Sequence, residues 1–286
     1  MTIIHSPLCH DYRTVGHPEK PFRVERTAEL LRGQKAISLE WAEPGLVSDT
    51  QLLRAHTADC IARLDISEDF DADTAWHPGI RDHARRSVGA ALKALDLALA
   101  GTPAFSLMRP PGHHATRNRS MGFCYLATIA IAALEARARG LRVGIFDFDV
   151  HHGNGTEDIV AGHEGIAFAS VHQSPAYPGT GLADVGTNCF NYPVAPETSR
   201  PQWRETLRLA LDRVLTTKPQ VLAVSAGFDA YSQDPLASGT LEMDDFHWMG
   251  QQVRSAGIPT FSILEGGYSL DLPELVLSYL LGLSGK

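Results

Sequence analysis

Apolar runs at residues 104–108, 143–148, 166–171, 221–226 and 259–264 are short and each is closed off by Gly, Pro or polar residues. This is the pattern of strands buried on both faces. Between them, apolar residues recur near helical spacing over about 80–100, 122–139, 200–217 and 243–256, with Gly or Pro punctuating the ends. Residues 272–283 read as a further core helix, too short to span a bilayer. Strands alternating with helices predict right-handed βαβ crossovers. The expected architecture is therefore α/β in three layers, a central and mostly parallel sheet flanked by helices. No linker, repeat or low-complexity stretch interrupts the pattern, so residues 1–286 are expected to form a single domain.

Composition agrees with that picture and narrows the function classes. With 44% apolar and 20% charged residues, the chain can bury a large core without disulfides. Cys9, Cys60, Cys124 and Cys189 lie far apart and form no CxxC pair, so neither a disulfide framework nor a cysteine zinc site is expected. The 25 basic against 33 acidic residues give a net charge of -8, which opposes nucleic acid as a partner and mildly favours cationic ones. The first ten residues lack the basic and apolar regions of a signal peptide, and no apolar run approaches membrane-spanning length; a cytoplasmic location with no membrane contact is expected.

The chemistry lies where the strands end. In residues 145–154 an apolar strand runs into acids and imidazoles at alternate positions, so that Asp147, Asp149 and His151 share one side and Phe146, Phe148 and Val150 the other. Burying two carboxylates and an imidazole demands a cation or strong hydrogen-bond donors. A metal held by Asp149 and His151 is predicted. Three other strands lead into Arg109-Pro110-Pro111-Gly112-His113-His114, Gly227-Phe228-Asp229 and Glu265-Gly266-Gly267-Tyr268. Any one of these has a bland explanation, as a helix cap or a solvated loop. Four together at the carboxyl edge of a parallel sheet, where such sheets bind ligands, read as a catalytic site.

The motifs RPPGHH (109–114), MGFCYL (121–126), DFDVHHGNGTED (147–158), SAGFDAY (225–231) and LEGGY (264–268), with His17-Pro18-Glu19 and Arg23 ahead of them, resemble the histone deacetylase superfamily, which includes acetylpolyamine amidohydrolases. The RPPG and HHGNGT variants look more like its class II branch. The resemblance implies a zinc-dependent deacetylase of the arginase/deacetylase-like fold, with Asp149, His151 and Asp229 holding the ion; this oxygen-rich set also suits Fe2+. It implies His114 as general base and then general acid, His113 oriented by Asp147, and Tyr268 as hydrogen-bond donor to the oxyanion. Asn154 stands where class I relatives carry a second carboxylate, and its neutral amide would orient His114 while raising its basicity less. A structural potassium ion is implied at the Asp147 side chain, the Asp147, Asp149 and His151 carbonyls, Ser170 and the Val171 carbonyl.

Gly122 and Phe123 are expected to line the acyl-lysine tunnel. Leu236 stands where some polyamine-selective relatives use a glutamate, and there is no long insertion between Asp73 and Arg85, where polyamine enzymes carry a dimer-forming loop. The expected reaction is removal of acetyl or other acyl groups from the lysine ε-amine of a peptide or protein. An acetylpolyamine amidohydrolase is the alternative. A two-manganese, arginase-like ureohydrolase fits less well, because Asp229 is followed by Ala230 and Tyr231 rather than by a second aspartate two residues on.

Overall fold

The structure, a computed structural model, describes all residues from 1 to 286. Its frame is one eight-stranded sheet of order β2-β1-β3-β8-β7-β4-β5-β6, every pairing parallel. The strands are β1 (Thr2–Ile4), β2 (Glu40–Ala42), β3 (Ala104–Ser106), β4 (Val143–Asp147), β5 (Ile166–Gln173), β6 (Cys189–Val194), β7 (Val221–Ala226) and β8 (Thr260–Leu264). The six inner strands β1, β3, β8, β7, β4 and β5 are buried along their whole length. That explains their unbroken apolar runs.

Nine helices flank the sheet: α1 (Phe22–Gly33), α2 (Asp49–Ala55), α3 (Ala58–Arg63), α4 (Ile80–Leu99), α5 (Thr128–Ala138), α6 (Asn154–Val160), α7 (Arg200–Leu215), α8 (Met243–Ser255) and α9 (Leu272–Ser284). Phe148, Phe228, Phe246 of α8 and Tyr279 of α9 form an aromatic cluster, with ring centroids 5.3–6.0 Å apart along its contacts. It fixes the loops after β4 and β7 against the helix layer. The apolar interior is one contiguous cluster of 78 buried residues, with no second core to define a second domain.

Several boundaries differ from the sequence expectation. The helix expected from 122 begins at Thr128, because Gly122 and Phe123 take left-handed φ values of 57° and 68° that no α-helix accommodates. The sheet is wholly rather than mostly parallel. The strand expected over 143–148 ends at Asp147, and that over 166–171 runs on to Gln173. Strands β1, β2 and β6 and helices α1, α2, α3 and α6 are additional. β6 lies at the sheet's edge, where Pro193 and its missing N–H are tolerated.

Candidate active site

The in-register partners Asp147, Ser170 and Ser225 mark the carboxyl edge of β4, β5 and β7. Just beyond it, Asp149, His151 and Asp229 each bring one ligand atom to within 4.8 Å of the others, and all three are buried. His151 Nδ1 is 3.1 Å from Asp149 Oδ1 and 3.1 Å from Asp229 Oδ2. Each carboxylate is pinned by backbone donors: Gly266 N–H to Asp149 Oδ2 at 2.7 Å, and Val150 N–H to Asp229 Oδ1 at 3.0 Å. The approach is possible only because no side chain intervenes. A Cβ on Gly227 would lie 2.2 Å from Asp149 Oδ2, and one on Gly266 would lie 2.0 Å from Asp229 Oδ2.

Two carboxylates so placed strain each other electrostatically. Burial and the Asp149 charge push Asp229 above the usual carboxylate range, whereas His113 and His151 outweigh burial at Asp149 and hold it far below. Two oxygen donors, one imidazole nitrogen and an excess of buried negative charge fit a divalent cation.

The two adjacent histidines are tied to different partners. His113 Nδ1 is 3.1 Å from Asp147 Oδ2, and His114 Nδ1 is 2.8 Å from Asn154 Oδ1. Their rings lie only 4.0 Å apart, yet their electrostatics diverge. For His113, burial disfavours the imidazolium but Asp149 and Asp147 prevail and raise its pKa to about 10. For His114, burial and the neighbouring His113 and His151 charges push it well below the usual imidazole value. The two environments therefore push adjacent imidazoles in opposite directions.

A cavity of about 360 Å³ opens onto this group. His114, His151 and Tyr268 line it together with Gly122, Phe123 and Leu236. Tyr268 is held by its N–H to Asp234 Oδ2 at 2.6 Å, and its ring stands edge-on to Phe123. Ser170 lies apart from the cavity, its hydroxyl 2.9 Å from His172 Nδ1. Asp147, fully buried, reaches His113 with one oxygen and the Asp149 N–H with the other.

The sequence reading gave no role to several residues that shape this site. Glu265 Oε2 accepts from the Gly112 and His113 N–H groups, and its Oε1 from the Ser225 hydroxyl. Burial raises its pKa to about 7. Arg109 forms a bidentate pair with Glu19, both contacts 2.7 Å, and this pair anchors the segment that carries His17 and Pro18 to the cavity wall. Tyr177 also lines the cavity, 5.0 Å from the His114 ring. Glu265 had a visible signal, an acid directly after a buried strand; Tyr177, in an irregular loop, had none.

Comparison with known proteins agrees with this geometry. The histone deacetylase domain model matches residues 17–282. A probable deacetylase of Methanothermobacter thermautotrophicus is 36% identical over 306 residues, covering 100% of this chain and 91% of the relative. A histone deacetylase-like amidohydrolase of Pseudomonas aeruginosa is 37% identical over 279 residues, covering 89% of this chain and 73% of that protein. The solved acetylpolyamine aminohydrolase from Burkholderia pseudomallei superposes with a TM-score of 0.90 at 25% identity, covering 99% and 98% of the two chains. A parallel sheet whose carboxyl edge gathers a buried Asp/His/Asp group and a histidine pair, under a family model spanning nearly the whole sequence, makes this chain a member of the histone deacetylase family.

Proposed function

We propose that the protein is a zinc-dependent lysine deacylase, hydrolysing the amide between an acyl group and the lysine ε-amine to a carboxylate and a free amine. Asp149, His151 and Asp229 would hold the zinc. Its contribution is Lewis acidity, which acidifies water and polarises the scissile carbonyl. The observation that carries the reading is that a base, a metal ligand and a phenol share one cavity: His114, His151 and Tyr268.

His114 acts as the base. Its Nδ1–H donates to Asn154 Oδ1, which leaves the Nε2 lone pair free, and burial keeps the ring neutral. It takes a proton from the attacking water and returns it to the departing nitrogen as the C–N bond breaks. His113, protonated beside Asp147 and Asp149, offsets the negative charge that develops on the tetrahedral intermediate. Burial raises the Tyr268 phenol well above its usual pKa, so it stays protonated and donates to the oxyanion.

A structural potassium ion belongs to the same reading. Asp147 and Ser170 are register partners with fully buried side chains, and neither the Asp149 nor the His151 carbonyl accepts a backbone hydrogen bond. Those oxygens, with the Asp147 and Val171 carbonyls, would be its donors.

Leu236 supports a lysine-type substrate, because it places an apolar group in the cavity where an acid would attract a second ammonium. One observation favours the acetylpolyamine alternative: the exposed Asp73 lines the same cavity. The test is a side-by-side kcat/KM comparison of acetyl-lysine peptides, longer acyl-lysine peptides and acetylated polyamines, on wild type and Asp73→Asn. The lysine reading expects acyl-lysine peptides to be preferred and their rank to survive Asp73→Asn. A polyamine preference that collapses in Asp73→Asn would replace it.

A further inference from the structure

A second group of metal-ligating side chains lies outside the catalytic site. His5 follows β1, and the short 3-10 turn Pro7–His10 places Cys9 and His10 back beside it. One ligand atom from each of the three lies within 4.8 Å of the others. The imidazole rings are 5.2 Å apart.

Each ring has a polar neighbour at one nitrogen only, a hydrogen bond for His5 and a longer ionic contact for His10. His5 Nδ1 sits 2.8 Å from the Leu107 carbonyl, and His10 Nδ1 sits 3.6 Å from Glu25 Oε1. On both rings the opposite atom, Nε2, is buried and has no hydrogen-bond partner. His5 as a residue is only 3% exposed. Metal-binding histidines characteristically use the far nitrogen on a carbonyl or carboxylate and keep the near one for the ion. The Cys9 thiol, fully buried and free of any disulfide, adds a soft donor. With a single cysteine among its members, such a set carries no CxxC signature.

We propose that His5, Cys9 and His10 form a second, non-catalytic metal site for a borderline-soft divalent cation of the zinc class. Two imidazoles and a thiolate suit zinc or cobalt and disfavour magnesium or calcium. Binding forms a sulfur–metal bond and releases the thiol proton to solvent. The His10 side chain is 21% exposed, so the site would lie near the surface, with water as its fourth ligand. The ion would brace the first loop. The Cys9 carbonyl accepts from Arg109 Nη1 at 2.8 Å, and the same guanidinium grips Glu19, two residues from the His17 that lines the catalytic cavity.

Cobalt(II) tests this directly, because the catalytic Asp/His/Asp set contains no sulfur. The metal-stripped full-length chain is titrated with cobalt, and the near-ultraviolet sulfur-to-cobalt charge-transfer band is read alongside bound metal per chain. The expected result is a saturable thiolate band and a second equivalent of bound cobalt, both lost in Cys9→Ser and weakened in the less buried His10→Gln. The band should persist in Cys60→Ser, which removes the thiol beside His56. Absence of the band at saturating cobalt, or a band that survives Cys9→Ser, overturns the site. Should Cys9→Ser fail to fold, an undiminished band in His10→Gln overturns it equally.

Discussion

The two edges of the sheet are built from opposite ends of the same strands. At the amino edge Val143, Ile166 and Val221 lie in register; four residues later, at the carboxyl edge, their counterparts are Asp147, Ser170 and Ser225. The amino edge borders a cavity of about 480 Å³ lined by groups such as Arg142, His163 and Glu164, larger than the one of about 360 Å³ at the carboxyl edge. Those three are exposed and solvated by water. The carboxyl edge instead desolvates Asp147, Asp149, Asp229, Glu265 and His113 almost completely. Concave volume alone does not locate chemistry in this fold. Charge removed from water and forced into mutual contact does.

The contrast is broken most severely by making one substitution at both edges. Gly227→Ala drives a methyl into Asp149, so metal content and turnover should both fall to the detection limit. Gly162→Ala, at the amino edge, meets nothing within 4 Å and strains only its backbone at φ +75°. It should cost about 1 kcal/mol of stability and leave kcat/KM unchanged, as thermal melts and steady-state assays will show. Retained metal and turnover in Gly227→Ala would refute the account of how the carboxylates are positioned.

Next in size is Tyr268→Phe, which removes one donor without touching a ligand. Turnover should drop roughly 10²- to 10³-fold while metal content, measured by elemental analysis, stays normal. Full activity would eliminate the oxyanion assignment.

A smaller effect concerns stability and its dependence on pH. Although burial opposes its ionisation, Arg109 and Arg23 lower Glu19 to about 2 from a usual value of 4.5. A carboxyl depressed on folding stabilises the folded state above its unfolded pKa and loses that contribution as pH falls through its folded pKa. About 3 kcal/mol should therefore disappear between pH 4.5 and about 2. Denaturant titrations across that window should show a flatter acid slope for Glu19→Gln than for wild type. Equal slopes would mean that Glu19 is not held in its charged form by the pair.

How much of this was legible in the sequence depended on the range of the forces involved. β4, β7 and β8 announce themselves because long apolar runs need no partner to be recognised, and the acids that follow them are adjacent in the chain. β1 and β2, at three residues each, are too short to show a period. Helix α1 carries a weak signal, with Val24, Ala28 and Leu31 buried at helical spacing among charged residues. The false start of α5 arose because apolar residues around Gly122 satisfy helical periodicity while their backbone turns the other way. Within the site, the alternation of Asp147, Asp149 and His151 was visible in local order, whereas the grouping of Asp229 with them was implied only by the family resemblance. The Arg109–Glu19 pair joins residues 90 positions apart, and the three-way grip on Glu265 exists only once β3, β7 and β8 are aligned.

Glu265 also bears on how such an enzyme can diversify. Its carboxylate holds the loop after β3 and the end of β7, while its own carbonyl receives Arg23 from α1. A change in any of these segments is felt by the others, so the floor of the site tolerates little mutational drift. Leu236 and Tyr177 stand at the cavity with 39% and 40% of their surface exposed, outside that mesh. New substrate preferences in this lineage should accumulate at those rim positions, leaving the hydrolytic machinery unaltered beneath them.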